Sequence, residues 1–181
     1  MTARFTSLSY PQGKSTPQKY LGRYFKKYSF FVGEIVLDEI TRKHGELLKL
    51  IRFEELVNIT KRYDYSALLS IIGDKIFEKG EYECMAIAYH IYKKSELHSV
   101  ILDDKSARRF IKRNIPELYM FVKYSLRFLV NCYLERKIAK NKVVFVLGKV
   151  KQAIRNGGRP FNLGKRNIVI VDQLLNEVEN D

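Results

Sequence analysis

Carboxylates at two junctions of the chain are the side chains best placed to do chemistry. Residues 81–94 show the apolar face of a helix and carry Glu83 near their start, and residues 99–102 form a short apolar run that ends in Asp103 and Asp104. In open α/β sheets, ligands collect beyond the carboxyl ends of strands. Several carboxylates at that edge would suit a hard cation such as Mg²⁺, which takes oxygen ligands.

Short apolar runs alternate with segments of helical periodicity, and this pattern predicts one α/β domain over residues 1–181, with residues 121–181 as its basic helical C-terminal part. The predicted strands are 3–9, 29–33 and 99–102, with a further plausible strand in the ambiguous segment 47–56. The predicted helices are 18–28, 35–44, 65–78, 81–94, 106–113, 121–140 and 142–155, followed by an amphipathic segment 167–179.

Positive charge is concentrated in one part of the chain. The formal net charge is +13, and the stretch from Lys105 to Arg166 holds 17 Lys and Arg against two acids, Glu117 and Glu135. The remainder is close to neutral. Such asymmetry favours a polyanionic partner, most simply a nucleic acid, although a solvated lysine-rich surface is the plain alternative.

Tyrosines also recur among basic residues near the N-terminus. Tyr20, Tyr24 and Tyr28 are spaced four apart in a stretch that contains Arg23 and two lysines. Aromatic rings between basic groups can stack on bases, but a tyrosine stripe at helical spacing is more often a sign of ordinary packing.

Composition and motifs set further bounds. Apolar residues make up 46% of the chain, and no run of eighteen apolar residues or secretory signal is present, so we expect a cytoplasmic protein with no membrane span. Cys84 and Cys132 lack metal-ligand spacing and fit buried free thiols of a reducing compartment. The sequence contains no Walker, Gly-x-Gly-x-x-Gly or Gly-x-Ser-x-Gly motif.

Each candidate carboxylate also has a structural explanation. Glu83 would compensate the dipole at the start of its helix, and Asp103 or Asp104 would cap the helix that follows them. Asp38 and Glu39 would form a solvated pair on the helix predicted over residues 35–44. The residues taken singly leave both explanations open.

Taken together, the motifs resemble the PIN domain family, in particular its archaeal and bacterial branch. The matching segments are Gly-Glu-x-Glu at 80–83 and Leu-Asp-Asp-x-x-Ala-Arg at 102–108. The acid-bearing segment 36–40 is similar to the one that follows the family's second strand, and residues 156–164 are similar to tails of the same branch. The resemblance covers most of residues 29–165.

The resemblance implies a three-layer α/β/α fold with a central, mostly parallel sheet and a metal-dependent ribonuclease that cleaves phosphodiesters. It implies Mg²⁺ or Mn²⁺ as cofactor, with Glu39, Glu83 and Asp103 as catalytic metal ligands and Asp104 as a further ligand. The resemblance favours RNA over DNA as the substrate, and it suggests a homodimer and an antitoxin-like protein as partners, as in toxin–antitoxin pairs. The residues expected to hold nucleic acid are Lys105, Arg108, Arg109, Lys112 and Arg113.

One feature departs from the family pattern. The family's first strand ends in an aspartate that binds the metal, whereas the equivalent stretch Arg4–Leu8 offers Phe5 or Thr6 at that position. Neither side chain supplies an anionic ligand. The alternative function is therefore a non-catalytic module for nucleic-acid binding or protein assembly on a degenerate PIN fold.

Overall fold

The computed structural model describes residues 28–73 and 79–181. This part of the chain is mixed α/β, mostly helical, with short parallel strands. It divides into two compact units, residues 28–123 and residues 124–181. The strand predicted over 3–9, all but the last residue of the helix predicted over 18–28, and the end of the helix predicted over 65–78 lie outside the described residues.

The first unit alternates strands with helices. Its strands are β1 (Phe31–Gly33), β2 (Asn58–Thr60), β3 (Val100–Ile101) and β4 (Val122–Lys123). Its α-helices are α1 (Glu34–Leu50), α2 (Leu69–Ile72), α3 (Gly80–Lys93), α4 (Lys105–Asn114) and α5 (Pro116–Tyr119), with 3₁₀ turns at Phe53–Glu55 and Ser66–Leu68. The strand predicted at 29–33, the strand at 99–102 and the helices at 81–94 and 106–113 are confirmed.

The strands of this unit pair as two separate parallel ladders. β1 pairs with β2 so that Val32 lies opposite Ile59, and β3 pairs with β4 so that Val100 lies opposite Val122. Parallel pairing requires a crossover between the strands, and helices supply it in both ladders. An α/β fold with parallel strands is therefore present, while the three-layer arrangement around one sheet stays a prediction.

Helix α3 is the centre of the first unit's core. Every residue from Met85 to Tyr89 is buried, so the helix is covered around most of its circumference. It packs with apolar side chains spaced four or three apart along α4, the single residue that joins α4 to α5, and α5. Those side chains are Ala107, Ile111, Ile115 and Leu118.

The second unit is a small helical bundle of α6 (Ser125–Leu134), α7 (Lys140–Arg155) and α8 (Ile168–Asn180). The buried positions of α7 are Val143, Leu147, Val150 and Ile154, which follow helical periodicity on one face. Arg127 of α6 donates to both carboxylate oxygens of Glu177 of α8, at 2.8 and 2.9 Å. The helix predicted over 142–155 is confirmed, and the final amphipathic segment is helical.

Two predicted elements are wrong. The segment 47–56 is not a strand, because α1 continues to Leu50 and Arg52 takes a left-handed conformation with φ of 52° before a 3₁₀ turn. The helix predicted over 121–140 is broken into β4, α6 and a turn. Residues 122–123 pair with β3, and Arg136 is left-handed with φ of 56°, which the apolar periodicity of the segment does not reveal.

Two further findings refine the sequence analysis. Pro116 occupies the start of α5, where its missing N–H costs no helical hydrogen bond. The described part of the helix predicted over 65–78 is a 3₁₀ turn followed by α2, which ends at Gly73 with φ of 55°. No helix within residues 28–73 and 79–181 is long and apolar enough to cross a bilayer.

A glycine substitution tests the packing at the start of α1. A Cβ on Gly33 would overlap the carboxylate of Glu83, whereas one on Gly45, in the same helix, would meet only Thr41 Cγ2 at 3.9 Å. We expect Gly33→Ala to lower the free energy of unfolding by about 1–3 kcal/mol, as overpacking does. Gly45→Ala should be neutral or stabilising by about 0.5–1 kcal/mol. Urea denaturation of both variants makes the comparison, and equal stabilities would contradict the packing described.

Candidate functional site

Glu83 is a buried carboxylate at the point where β1 passes into α1. Glu83 is 2% exposed, and within residues 28–73 and 79–181 it is the one charged residue that is buried. Oε2 accepts a hydrogen bond from the Val36 backbone N–H at 3.0 Å, and Oε1 accepts one from the Tyr63 hydroxyl at 3.4 Å. Val36 lies in the first turn of α1, where backbone N–H groups have no partner within the helix. Glu83 therefore caps α1 from a neighbouring helix.

Glu39 makes the reciprocal contact. Its Oε1 accepts a hydrogen bond from the Gly80 backbone N–H, at the start of α3, at 3.2 Å. The residues at the N-cap positions of α1 and α3, Gly33 and Lys79, provide no side-chain cap of their own. Each helix thus receives its cap from a glutamate of the other, and both anions lie where the helix dipoles favour negative charge.

Two glycines make this close approach possible. The carboxylate of Glu83 lies in the space that a side chain at position 33 would fill. At Gly80, a Cβ would come within 2.7 Å of Val36 Cγ2. Glycine at both positions lets the first turns of α1 and α3 meet with the glutamates between them.

The buried carboxylate changes the chemistry of its neighbours. Burial, followed by the negative charge of Glu83, raises the pKa of Tyr63 from 10.0 to about 12, so the phenol remains a hydrogen-bond donor at neutral pH. Burial and the same charge raise the pKa of Cys84 to about 12. The Cys84 thiol is therefore protonated at neutral pH and unsuited to nucleophilic attack. Cys84 and Cys132 are both free; Cys132 is buried, as expected, whereas the Cys84 residue as a whole is half-buried.

The aspartates that follow β3 have different roles. Asp104 is the N-cap of α4, and its Oδ1 accepts a hydrogen bond from the Ala107 N–H at 2.7 Å. The structural explanation given for one of the two aspartates is confirmed for Asp104. Asp103 is half-buried, and its backbone carbonyl accepts a hydrogen bond from Arg108 Nη1 at 2.8 Å.

The carboxylates can be compared with the needs of a divalent cation. A carboxylate offers about four lone-pair positions, so Glu39 and Glu83 keep acceptor capacity beyond the hydrogen bonds described. In residues 28–73 and 79–181, no Lys or Arg nitrogen lies within 4.0 Å of Glu83, so its buried charge has no cationic side chain beside it. Glu39 and Glu83 fit a cation as oxygen donors.

A complete ligand set is a separate question. Within the described ranges, no group of three or more His, Cys, Asp and Glu side chains is arranged as a metal site. Glu39 and Glu83 meet at the contact between α1 and α3, and Asp103 follows β3 at a different junction. The assignment of Glu39, Glu83, Asp103 and Asp104 as metal ligands stays a prediction.

A second feature is the exposed face of α4, which we call the basic face and define as Lys105, Arg109, Lys112 and Arg113. Lys105 lies four residues before Arg109, and Lys112 and Arg113 lie three and four residues after it, so all four are on the face opposite the buried Ala107 and Ile111. In the described parts of the chain, none of the four forms an ion pair with a carboxylate within 4.0 Å. The helix dipole accounts for cations in the last turn but disfavours Lys105 in the first turn. The basic face suits a polyanionic ligand.

Arg108 differs from the other four predicted nucleic-acid-binding residues. Its side chain is half-buried, and Nη1 donates to the carbonyls of Leu102 and Asp103 at 2.7 and 2.8 Å. These bonds tie α4 to the carboxyl end of β3. Arg108 thus holds the junction that carries Asp103.

Sequence reasoning missed two residues of the site. Tyr63 lies in the segment after β2, and no periodicity or motif links it to Glu83. Gly33 is a visible break between a strand and a helix, but its contact with a carboxylate 50 positions later depends on tertiary packing.

In comparisons with protein families, curated proteins and solved structures, no family model, no curated protein and no solved structure matches this chain. The resemblance to PIN domains therefore remains an expectation from the motifs, and the functional argument depends on the geometry of the described residues.

Proposed function

We propose that the protein is a PIN-like, metal-dependent ribonuclease that holds RNA on the basic face and acts on its phosphodiester backbone near Glu39, Glu83 and Asp103. The observation that carries this proposal is the buried carboxylate of Glu83. An ionised group out of water is costly unless a compensating charge or several donors stabilise it. Within the described residues Glu83 has two donors and no Lys or Arg beside it, which leaves a role for a cation.

In this proposal the chain's own residues divide the work. The capping hydrogen bonds hold Glu39 and Glu83 in fixed positions. Arg108 holds the chain at the carboxyl end of β3, where Asp103 lies. The basic face neutralises backbone phosphates. A bound Mg²⁺ or Mn²⁺ would activate water and stabilise the charge that develops on the displaced oxygen.

A second candidate function is a non-catalytic nucleic-acid-binding or assembly module. The observation that favours it is that Glu39, Glu83 and Asp104 all serve as helix caps, which explains their presence without any metal. The stretch Arg4–Leu8, where the family's first aspartate is missing, lies outside the described residues.

Metal binding separates the two candidates. Glu83→Gln retains an oxygen for the Val36 N–H and removes the charge, so it tests the cation without deleting the cap. If the protein is a ribonuclease, millimolar Mn²⁺ should raise the Tm of the wild type, because a ligand of the native state stabilises it. Mn²⁺ should have no such effect on Glu83→Gln or Asp103→Asn, and both variants should lose Mn²⁺-dependent cleavage of RNA.

Glu81→Gln, a half-buried neighbour on α3, is the matched control and should keep both the Tm shift and the cleavage. Cleavage that persists unchanged in Glu83→Gln and Asp103→Asn would reject the site. A wild type with neither a Tm shift nor cleavage would favour the non-catalytic module.

The basic face is tested by the salt dependence of RNA affinity. Each phosphate contact releases counterions, so the logarithm of the binding constant falls with the logarithm of the salt concentration. We expect the double variant Lys105→Gln/Arg109→Gln to reduce the magnitude of that slope by about 2, or about 1 per lost contact. Lys49→Gln/Lys94→Gln, two exposed lysines elsewhere in the same unit, is the control. If both double variants reduce the salt slope equally, RNA is attracted by the overall positive charge of the protein and not by the basic face of α4.

A further inference from the structure

We propose that Tyr119 is a stacking site for an unpaired base, positioned at the end of the basic face. The inference rests on the proposed binding of RNA and deepens it by assigning a residue that contacts a nucleobase rather than a phosphate. Tyr119 is the last residue of α5, and it is followed by Met120 before β4 begins.

The core fixes the direction of Tyr119. Ile115 and Leu118 are 0% exposed and anchor this short helix beneath α3 and α4. Tyr119 and Met120 are 43% and 71% exposed, so two large side chains are left in water directly beside a fully buried pair. Because Ile115 and Leu118 are buried, they hold the backbone of Tyr119 in place and keep its ring at the surface.

Internal packing accounts for other aromatic rings of this unit but not for Tyr119. Tyr82 packs edge-on against Phe110, with ring centroids 5.6 Å apart, and Tyr92 packs against Phe121 at 5.7 Å. Within the described residues, the ring or hydrogen-bond partner of the Tyr119 side chain is Lys112 alone. The Lys112 ammonium lies over the ring, 5.3 Å from its centroid.

This contact joins an aromatic ring to the basic face. Lys112 lies on α4 beside Arg109 and Arg113, so a cation that can bind a phosphate is held next to a ring that can stack on a base. A nucleotide presents a flat base and an anionic phosphate on one flexible unit. Single-strand binding surfaces combine these two features, and base stacking on an aromatic side chain contributes independently of base identity.

The proposal distinguishes unpaired from paired RNA. A base within a duplex is already stacked on its neighbours and cannot leave to cover Tyr119 without losing its pairing. Phosphates are available in both forms. Tyr119 should therefore contribute to the binding of single strands alone, whereas the basic face contributes to the binding of both.

Fluorescence anisotropy in EDTA tests the site without cleavage. The probes are a labelled oligouridylate, the same oligonucleotide annealed to its complement, and a backbone of equal length with abasic sites. Tyr119→Phe keeps a ring, and Tyr119→Leu keeps apolar volume without one. Leu69→Ala, which changes another exposed apolar side chain of this unit, is the surface control. Thermal unfolding of each variant checks that it is folded.

We expect Tyr119→Leu to weaken binding of the single strand by about tenfold, as the loss of one stacked base does. Its affinity for the duplex and the abasic backbone, and the salt slope, should not change, because no charge is lost. Tyr119→Phe and Leu69→Ala should bind like the wild type.

Two results overturn the stacking site alone, provided that RNA binding by the wild type depends steeply on salt. In the first, Tyr119→Leu binds the single strand as tightly as the wild type does. In the second, Tyr119→Leu loses the same factor of affinity for the single strand and for the duplex. A wild type that binds none of the probes overturns the proposed function together with the site. Tyr119-dependent binding to vesicles of anionic lipid, with RNA affinity independent of Tyr119, would assign the surface to a membrane and also overturn it.

Discussion

The first turns of α1 and α3 need partners for their backbone N–H groups, and the exchange of glutamates between the two helices meets this need. Glu83 of α3 accepts from Val36 of α1, and Glu39 of α1 accepts from Gly80 of α3. A helix usually takes its cap from the residue just before it. Here Gly33 stands at that position in α1, because a side chain there would collide with the Glu83 carboxylate. The glycine that leaves α1 without a local cap is therefore also the residue that makes room for the glutamate that caps it.

This exchange of caps also fixes the position of β1 and α1 relative to α3 in the first unit. Since β1 leads directly into α1, a cap supplied by α3 sets the position of the strand relative to the central helix. Tyr63 extends the contact to the segment after β2, through its hydroxyl on Glu83. One buried carboxylate therefore links three parts of the chain that are far apart in sequence.

The parts of the fold that follow from local sequence were predictable. α3 is apolar around most of its circumference, α4 has one apolar face, and Asp104 is a recognisable cap followed by helical residues. The failures lie where tertiary pairing overrides local pattern. Val122 and Lys123 continue an apolar helical pattern but pair with β3, and the turn at Arg136 depends on a left-handed residue without a glycine to announce it.

The candidate site was predicted to a similar extent. The sequence identified Glu39 and Glu83 as residues of interest, and both lie at one helix–helix contact. It could not identify Gly33 and Tyr63 as their partners, because those contacts cross 50 and 20 positions of the chain. The structural explanation weighed for Glu83, dipole compensation at the start of its own helix, fits its place in the first turn of α3, but it did not include the hydrogen bond to the Val36 N–H of α1.

Capping and metal binding are compatible uses of the same carboxylates, since a capped glutamate keeps lone pairs for a cation. The proposed metal binding depends on the charge of Glu83, whereas the cap on α1 depends on its hydrogen bond.

Hydrogen exchange at the Val36 amide measures that hydrogen bond most directly. In the first turn of α1 this N–H has no intrahelical acceptor, so its protection should come from Glu83. The account predicts that Glu83→Ala accelerates Val36 exchange by about tenfold or more, that Glu83→Gln retains most of the protection, and that Ala107, capped by Asp104, is unaffected. Val36 exchange that is unchanged in Glu83→Ala would contradict the central role given to this carboxylate.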